Sequence, residues 1–391
     1  MQIDLTADQR RLRGELRDYF ARLMTPERRA GLTGGEAGGQ AYRDVVRQMG
    51  ADGWLGVGWP AEYGGQGRTP LEQYLFYDEA NRAGVPLPLV TLNTVGPTLM
   101  AFGSEDQKRA FLPRILAGEV HFAIGYSEPG AGTDLASLRT RAVRDGDEYV
   151  INGQKTFTTG GHDADWVWLA CRTDPDAPKH KGISIILVPT ESAGFKHSPI
   201  WVLGGGHTNA TYYEDVRVPA TNLVGNENEG WKLITRQLNH ERVALAPAGR
   251  LDRHLHAVRD WAQATRLADG QRVIDQEWVQ LTLARVYAVS EALKLANWRV
   301  AGDLEAGTLN PANASMMKVL ATEEQTRCLR LLLDVLGAPG YLVKDDPACV
   351  LHGQVEQAYR QAPVGTFGGG VNEVQREIIQ MAGLGMPRAP R

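Results

Sequence analysis

Two short stretches of this 391-residue chain have the composition of a ligand-holding loop: FAIGYSEPGAGTD at 122–134 and NGQKTFTTG at 152–160. Glycines, small residues and hydroxyls cluster in both without a helical period. Loops of this kind offer backbone N–H groups and hydroxyl donors to a flat polar ligand, which is what the pyrimidine edge of a flavin requires. Taken alone, the same residues also describe Gly-rich turns between strands. A dinucleotide fingerprint is excluded. The GAG at 130–132 would need a third glycine three residues on, at a helix start, but position 135 is Leu and no parallel βαβ pattern precedes it.

The elements that must position these loops divide by period. From Leu5 to about Leu116 apolar residues fall at helical spacing, broken by Gly/Pro-rich segments at 31–39 and 56–70. Between about 121 and 226 the pattern shortens to WVWLAC (166–171), ISIILVP (183–189) and TYYEDVRV (211–218), which are β-branched and aromatic runs bounded by turn residues. Helical spacing returns after Trp231, with Trp278, Leu281, Ala284, Ala288, Ala292 and Leu295 on one stripe, the pattern of a C-terminal bundle. The expected class is α+β, in three parts: a helical domain at 1–120, a β-barrel or sandwich at 121–228, and a four-helix bundle at 229–391.

Composition narrows the function by exclusion. A formal charge of −4 and a pI near 6.2 offer no basic surface for nucleic acid. The charged opening MQIDLTADQRRLRGEL lacks a signal-peptide core, and no run approaches the roughly 18 apolar residues of a membrane span, so a cytoplasmic protein is expected. Cys171, Cys328 and Cys349 are widely spaced with no C-x-x-C pair, indicating neither a disulfide framework nor zinc. His254 and His256 are two apart and cannot share a helix face, and His207 after its triple glycine lacks nearby ligands, so no metal site is expected.

The two loops resemble the signature loops of the acyl-CoA dehydrogenase family, and the resemblance runs the length of the chain through LTADQRRLRGELRDYF (5–20), WLGVGWPAEYGGQG (54–67), FGSEDQKRAFLPRILAGE (102–119), EDVRVPATNLVGNENEGW (214–231), LNHERVALAPAG (238–249) and GGGVNEVQREII (368–379). It implies FAD as cofactor and α,β-dehydrogenation of an acyl-CoA thioester to a trans-2-enoyl-CoA, with electrons passed to an electron-transfer flavoprotein. Carried over position by position, Tyr126 and Ser127 meet the flavin ring, Gly132 and Thr133 lie by the pyrophosphate and the thioester mouth, and Phe157 and Thr159 close the opposite side.

A carboxylate base must remove the α proton, and it works when burial raises its pKa and donors stabilise the developing enolate-like oxygen. Many members carry it in a C-terminal Y-E-G-T motif, and counting back from Gln375 and Arg376 puts that position at Gly369. Others, including isovaleryl-CoA and long-chain-type enzymes, carry it in L-x-x-E-R, which here reads Leu238-Asn239-His240-Glu241-Arg242 and makes Glu241 the implied base. Gly369 keeps a role through its N–H, the thioester oxyanion donor, and Asn372 opens the following helix near the cofactor. Asn239 and Arg242 are placed along the pantetheine channel.

Departures from the pattern concern assembly. In homotetrameric relatives an Arg, an aromatic three residues on and a Gln before L-G-G reach the neighbour's FAD. The corresponding residues here are Arg266, Asp269 and Asp334. A carboxylate against a diphosphate is repelled by up to about 4 kcal/mol at an effective dielectric near 20. Two assemblies are therefore expected as alternatives, a homotetramer or an α2β2 heterotetramer with a related chain, as in actinobacterial relatives acting on sterol side chains. Alternative functions on the same fold are a flavin monooxygenase or oxidase, and a non-catalytic subunit. Glu241 argues against the first and the intact loops against the second.

Overall fold

The computed structural model describes residues 4–32, 38–241 and 247–387. Among the described residues, six helices open the chain: α1 (Ala7–Leu23), α2 (Pro26–Gly31), α3 (Gln40–Ala51), α4 (Pro70–Ala83), α5 (Gly96–Phe102) and α6 (Glu105–Leu116). Their starts are written locally. Thr6 with Gln9, Thr69 with Glu72 and Ser104 with Gln107 form reciprocal capping boxes, and Pro70 occupies the first turn of α4 where its missing N–H costs nothing. Leu12, Leu16, Phe20 and Leu23 form the buried stripe of α1.

Eight strands follow: β1 (Phe122–Gly125), β2 (Arg141–Asp145), β3 (Glu148–Lys155), β4 (Trp166–Arg172), β5 (Ile183–Pro189), β6 (Phe195–Trp201), β7 (His207–Pro219) and β8 (Leu223–Val224). They form one sheet in the order β6-β7-β3-β2-β4-β5-β8, with β1 added parallel to β4. Ile186 and Val188 of β5 share a core with Tyr213 and Val216 of β7, although β3, β2 and β4 lie between them, so the sheet curls over itself. The opposite pleat of β4 and β5, with Trp168, Ala170, Ile185 and Leu187, packs into the core of the N-terminal helices. Burial on both faces explains why these two strands read as unbroken apolar runs rather than as alternation.

The last third contains α7 (Gly230–Glu241), α8 (Gly249–Ala264), α9 (Glu277–Glu305), α10 (Pro311–Leu336), α11 (Gln354–Gln361), α12 (Val364–Phe367) and α13 (Asn372–Ile378). Helices α8, α9 and α10 pack together with α4 from the N-terminal region, whose Tyr74 is fully buried among them. A buried polar cluster fixes that junction. Asp78 accepts from Gly249 N at 2.7 Å and from the Tyr74 hydroxyl at 3.1 Å, Arg82 pairs with Asp252, and Ser290 of α9 donates to Asp252. No helix among the described residues is long and apolar enough to cross a membrane.

The stripe on α9 that marks the bundle in the sequence is the uncovered one. Trp278, Leu281, Ala284, Ala288, Ala292 and Leu295 are all exposed, the first two at 49% and 56%. The helix turns Val279, Leu283, Val286, Leu293 and Val300 inward, together with Ser290 and Asn297.

Candidate active site

Strand β1 delivers the first loop. Gly125 lies opposite Leu169, and a Cβ there would stand 2.9 Å from Val167 Cγ1 and 3.0 Å from Leu169 Cδ1, so only glycine permits this approach. The second loop leaves β3 after a bulge at Gly153, whose φ of 154° and 2.5 Å approach to Thr140 Oγ1 again admit no side chain.

The loops are bolted together. Lys155, fully buried, donates to Tyr126 O at 3.0 Å and to Glu128 Oε1 at 2.8 Å. Glu128 also accepts from Thr140 N at 2.8 Å and Arg139 N at 2.7 Å, while Thr156 N donates to Ser127 O at 2.8 Å. Burial alone would raise the Glu128 carboxyl, but the Lys155 charge and the Thr140 N–H hold it below its ordinary value. Burial pulls the Lys155 ammonium down while the Glu128 charge opposes it, and the polar atoms of the pair are partnered.

What these anchors present is open. Gly130, Gly132 and Thr133 are exposed at the tip of the first loop, and a Cβ on either glycine would meet nothing within 4 Å. Internal packing therefore does not explain them. Phe157 is 63% exposed and held at φ 59°, a left-handed conformation that costs a bulky residue strain. The residues after it enforce that geometry: Thr158 N donates to Asn209 O at 2.9 Å, Asn209 Nδ2 donates to Thr158 O at 3.1 Å, and Thr159 Oγ1 lies 3.1 Å from Thr208 Oγ1. An exposed aromatic on a strained backbone, on a loop bonded to the one that carries the bare glycines, suits a flat ring supplied from outside.

Tyr126 is clamped from its other end. Trp168 Nε1 donates to its phenol oxygen at 3.1 Å, and the phenol donates to Gln237 Oε1 at 2.6 Å. Gln237 belongs to α7, and Glu241 follows one turn later as the last residue of that helix. The side chains of Asn239 and Glu241, and the whole of Arg242, lie outside the described residues.

Gly369 sits on an exposed turn with φ 67°, followed by Gly370 at φ 103°. Buried Lys318 ties this turn to α10 by donating to Thr366 O at 3.1 Å, to Gly370 O and to Asn372 Oδ1 at 2.8 Å. Burial pulls its ammonium down to about 8, against the opposing pull of Glu373 and Glu323. Asn372 is buried with its carboxamide committed inward, donating to Thr322 Oγ1 at 3.1 Å and Glu323 Oε1 at 3.0 Å. In this arrangement its side chain positions the glycine turn and is spent before it could reach a cofactor. Sequence reading passed over Lys155, Glu128, Gln237 and Lys318. The first two lie inside the quoted motifs, where attention went to glycines and hydroxyls.

Arg266 lies apart from these loops in sequence, on the exposed turn after α8, where it donates to Gly270 O at 2.7 Å. Asp269 caps Gln271 N at 3.0 Å in the same turn, and Asp334 accepts from the Tyr341 hydroxyl at 2.7 Å.

Comparison with known proteins fits the whole of this architecture. Residues 6–119, 123–218 and 228–384 match the N-terminal, middle and C-terminal domains of acyl-CoA dehydrogenase. The chain is 56% identical to acyl-CoA dehydrogenase FadE26 of Mycobacterium tuberculosis (strain ATCC 25618 / H37Rv), covering 100% of both chains. Among solved structures it is similar to a chain of the ChsE4–ChsE5 complex from Mycobacterium tuberculosis, with TM-score 0.93, 56% identity and 100% of both chains covered. It is also similar to a chain of the Tcur3481–Tcur3483 steroid ACAD, with TM-score 0.94, 53% identity and full coverage of both. The chain belongs to the acyl-CoA dehydrogenase family and is an oxidoreductase of that family.

Proposed function

We propose that this chain converts an acyl-CoA thioester to its trans-2-enoyl-CoA with FAD held against the 126–133 and 157–159 loops. The observation that carries the reading is the exposed, strained Phe157 on a loop tied through Thr156 N to Ser127 O of the loop whose Gly130 and Gly132 leave open space. Tyr126, Ser127, Gly132, Thr133, Phe157 and Thr159 hold the cofactor, which when bound supplies the hydride acceptor for the β carbon. Glu241 takes the α proton. The Gly369 N–H donates to the thioester oxygen and stabilises the negative charge that grows there. Glycine at 369 also keeps a second carboxylate away from the base, where like charges would raise each other's pKa. Thr133, Asn239 and Arg242 line the path of the pantetheine arm. Electrons then leave to an electron-transfer flavoprotein in the cytoplasm.

The assembly we favour is an α2β2 heterotetramer with a related chain. Both full-length structural relatives named above are two-component complexes, and α9 offers an uncovered apolar stripe for a second chain. Asp269 and Asp334 stand where homotetrameric relatives contact a neighbour's FAD, so Arg266 alone remains on that side. The steroid named for one relative points to sterol side chains as the acyl class. Isolation of this chain alone as a tetramer with one FAD per subunit would rule the heteromer out.

Anaerobic titration of the purified flavoprotein with acyl-CoA thioesters tests the reaction. Bleaching of the flavin by a thioester is expected, and Glu241→Gln should slow it by roughly 10²–10⁴-fold while flavin stays bound. Retained flavin that no thioester bleaches would overturn the dehydrogenase reading in favour of an oxygenase.

A further inference from the structure

Three arginines converge where α4 ends, and no carboxylate among the described residues pairs with them. Gly84 closes α4 at φ 72°, and a Cβ built there would stand 2.4 Å from Arg253 Nη1 and 3.4 Å from Arg29 Nη1. Guanidiniums from α8 and α2 thus stand against one glycine. Arg250, one turn before Arg253, donates to Asn81 Oδ1 of α4 at 3.3 Å. The acids of α4 and α8 are engaged elsewhere: Glu72 with Arg68, Asp78, Glu79 and Asp252 with Arg82, and Asp260 with Arg259.

Helix capping accounts for part of this cluster. Arg29 Nη1 donates to Ala83 O at 2.7 Å and its Nε to Met24 O at 3.1 Å. A helix C-terminus carries only about half a negative charge, against three full positive ones here. The surplus acts on its own members. Burial first, then the Arg250 and Arg29 charges, pull Arg253 down to about 10. His254 is 1% exposed and supplies no counter-charge: a guanidinium only donates, so Arg253 Nη2 gives its proton to His254 Nε2 at 3.4 Å. Arg253 Nε is buried without a partner. Arg29 Nη2, Arg250 Nε and Nη1, and Arg253 Nη1 find no acceptor among the described residues, and the Arg29 and Arg250 side chains are exposed. Planar forks of this kind match the oxygens of a phosphate in pairs.

We propose that Arg29, Arg250 and Arg253 bind a doubly charged oxyanion of the phosphate class at the end of α4. The site shares no residue with the glycine-rich loops, with Glu241 or with the Gly369 turn, so it stands independently of the dehydrogenase reading. Its exposed position admits either free phosphate or a phosphate ester projecting from a larger molecule.

Calorimetric titration of the purified full chain with inorganic phosphate, at an ionic strength held constant with chloride, tests the site. Saturable binding of one phosphate per chain is expected, and Arg29→Gln and Arg250→Gln should each weaken it at least about tenfold. Arg259→Gln, an exposed change on the same helix, should leave it unaltered. Arg250→Gln is the decisive variant, because that head holds nothing but the Asn81 side chain and its loss does not uncap α4. Phosphate that binds no better than chloride would overturn the proposal. Equal affinity in Arg250→Gln, Arg259→Gln and the parent would overturn it as well. Competition then identifies the source within a site so established: displacement by CoA and not by dephospho-CoA assigns it to a phosphate ester, and displacement by neither assigns it to the free ion.

Discussion

The two glycine-rich loops and the outer face of α9 are built on opposite plans. At 125–160 every constraint is met within one chain: a buried ion pair, backbone bonds between the loops, and glycines where strands approach closely. Along α9 the chain leaves Trp278, Leu281, Tyr287 and Leu295 facing outward with nothing of its own to cover them. The loop side is therefore self-sufficient in folding, whereas the bundle face leaves apolar side chains exposed among the described residues. Exposed apolar area of that extent is a feature of interfaces more than of free surfaces.

Breaking the self-contained side should have the largest effect. Lys155→Met strands the Glu128 carboxylate in the interior and should cost about 3–5 kcal/mol, read by urea unfolding, with loss of flavin. The stabilisation that Glu128 draws from its depressed pKa is present above the ordinary value of 4.5 and is lost as pH falls through its lower folded value.

His121, just before β1, sharpens the same contrast. It is buried with both ring nitrogens unpartnered among the described residues, and burial first, then the Arg43 charge, pull it down to about 4. The unfolded chain takes up a proton near 6.5 and the folded one only near 4, so stability falls as pH drops across that window. The loss is roughly 3 kcal/mol, from 2.5 pH units at 1.36 kcal/mol each. His121→Phe should flatten this part of the profile in thermal unfolding followed against pH.

Smaller effects separate strain from cover. Phe157→Gly should stabilise the flavin-free chain by ~1 kcal/mol by removing the strained φ, yet weaken flavin binding. A loss of stability in calorimetry would show that Phe157 serves packing instead. Leu281→Glu on α9 should change the stability of the chain itself by no more than about 0.5 kcal/mol while dissociating the assembly in sedimentation. An unchanged sedimentation coefficient would show that this face is not the interface.

Much of this was legible in the residues. Strands β4 and β5 announce themselves as long apolar runs, and the loops are marked by glycines whose necessity at 125 and 153 the packing explains. The stripe on α9 was equally legible, but periodicity reports only that a face is apolar. Whether the cover comes from the same chain or another is a tertiary fact. The truly inward face carries Ser290 and Asn297, which soften its signal because their hydrogen bonds to Asp252 and Leu293 O are invisible in sequence. Gln237 and Lys318 were missed for a similar reason. A Gln or Lys at helical spacing reads as solvated surface until a distant tyrosine or a glycine turn arrives to use it. Asn372 was placed near the cofactor because it opens a helix after the triple glycine, whereas its buried carboxamide accepts from Lys318, a contact that sequence does not display.

The junction of α4 with α8 also dictates how the molecule is made. Asp78 and its partner Gly249 are 171 residues apart. At about 5–20 residues per second a ribosome needs on the order of ten to thirty seconds to travel between them. During that interval Tyr74 and the acidic pair Asp78 and Glu79 have emerged, while the bundle that will enclose them has not been synthesised. Helix α4 is thus made well before the bundle that finishes its packing. A nascent chain of this protein carries an uncapped core over those 171 residues of synthesis, and its demand for chaperone protection is set by the order of its helices along the messenger.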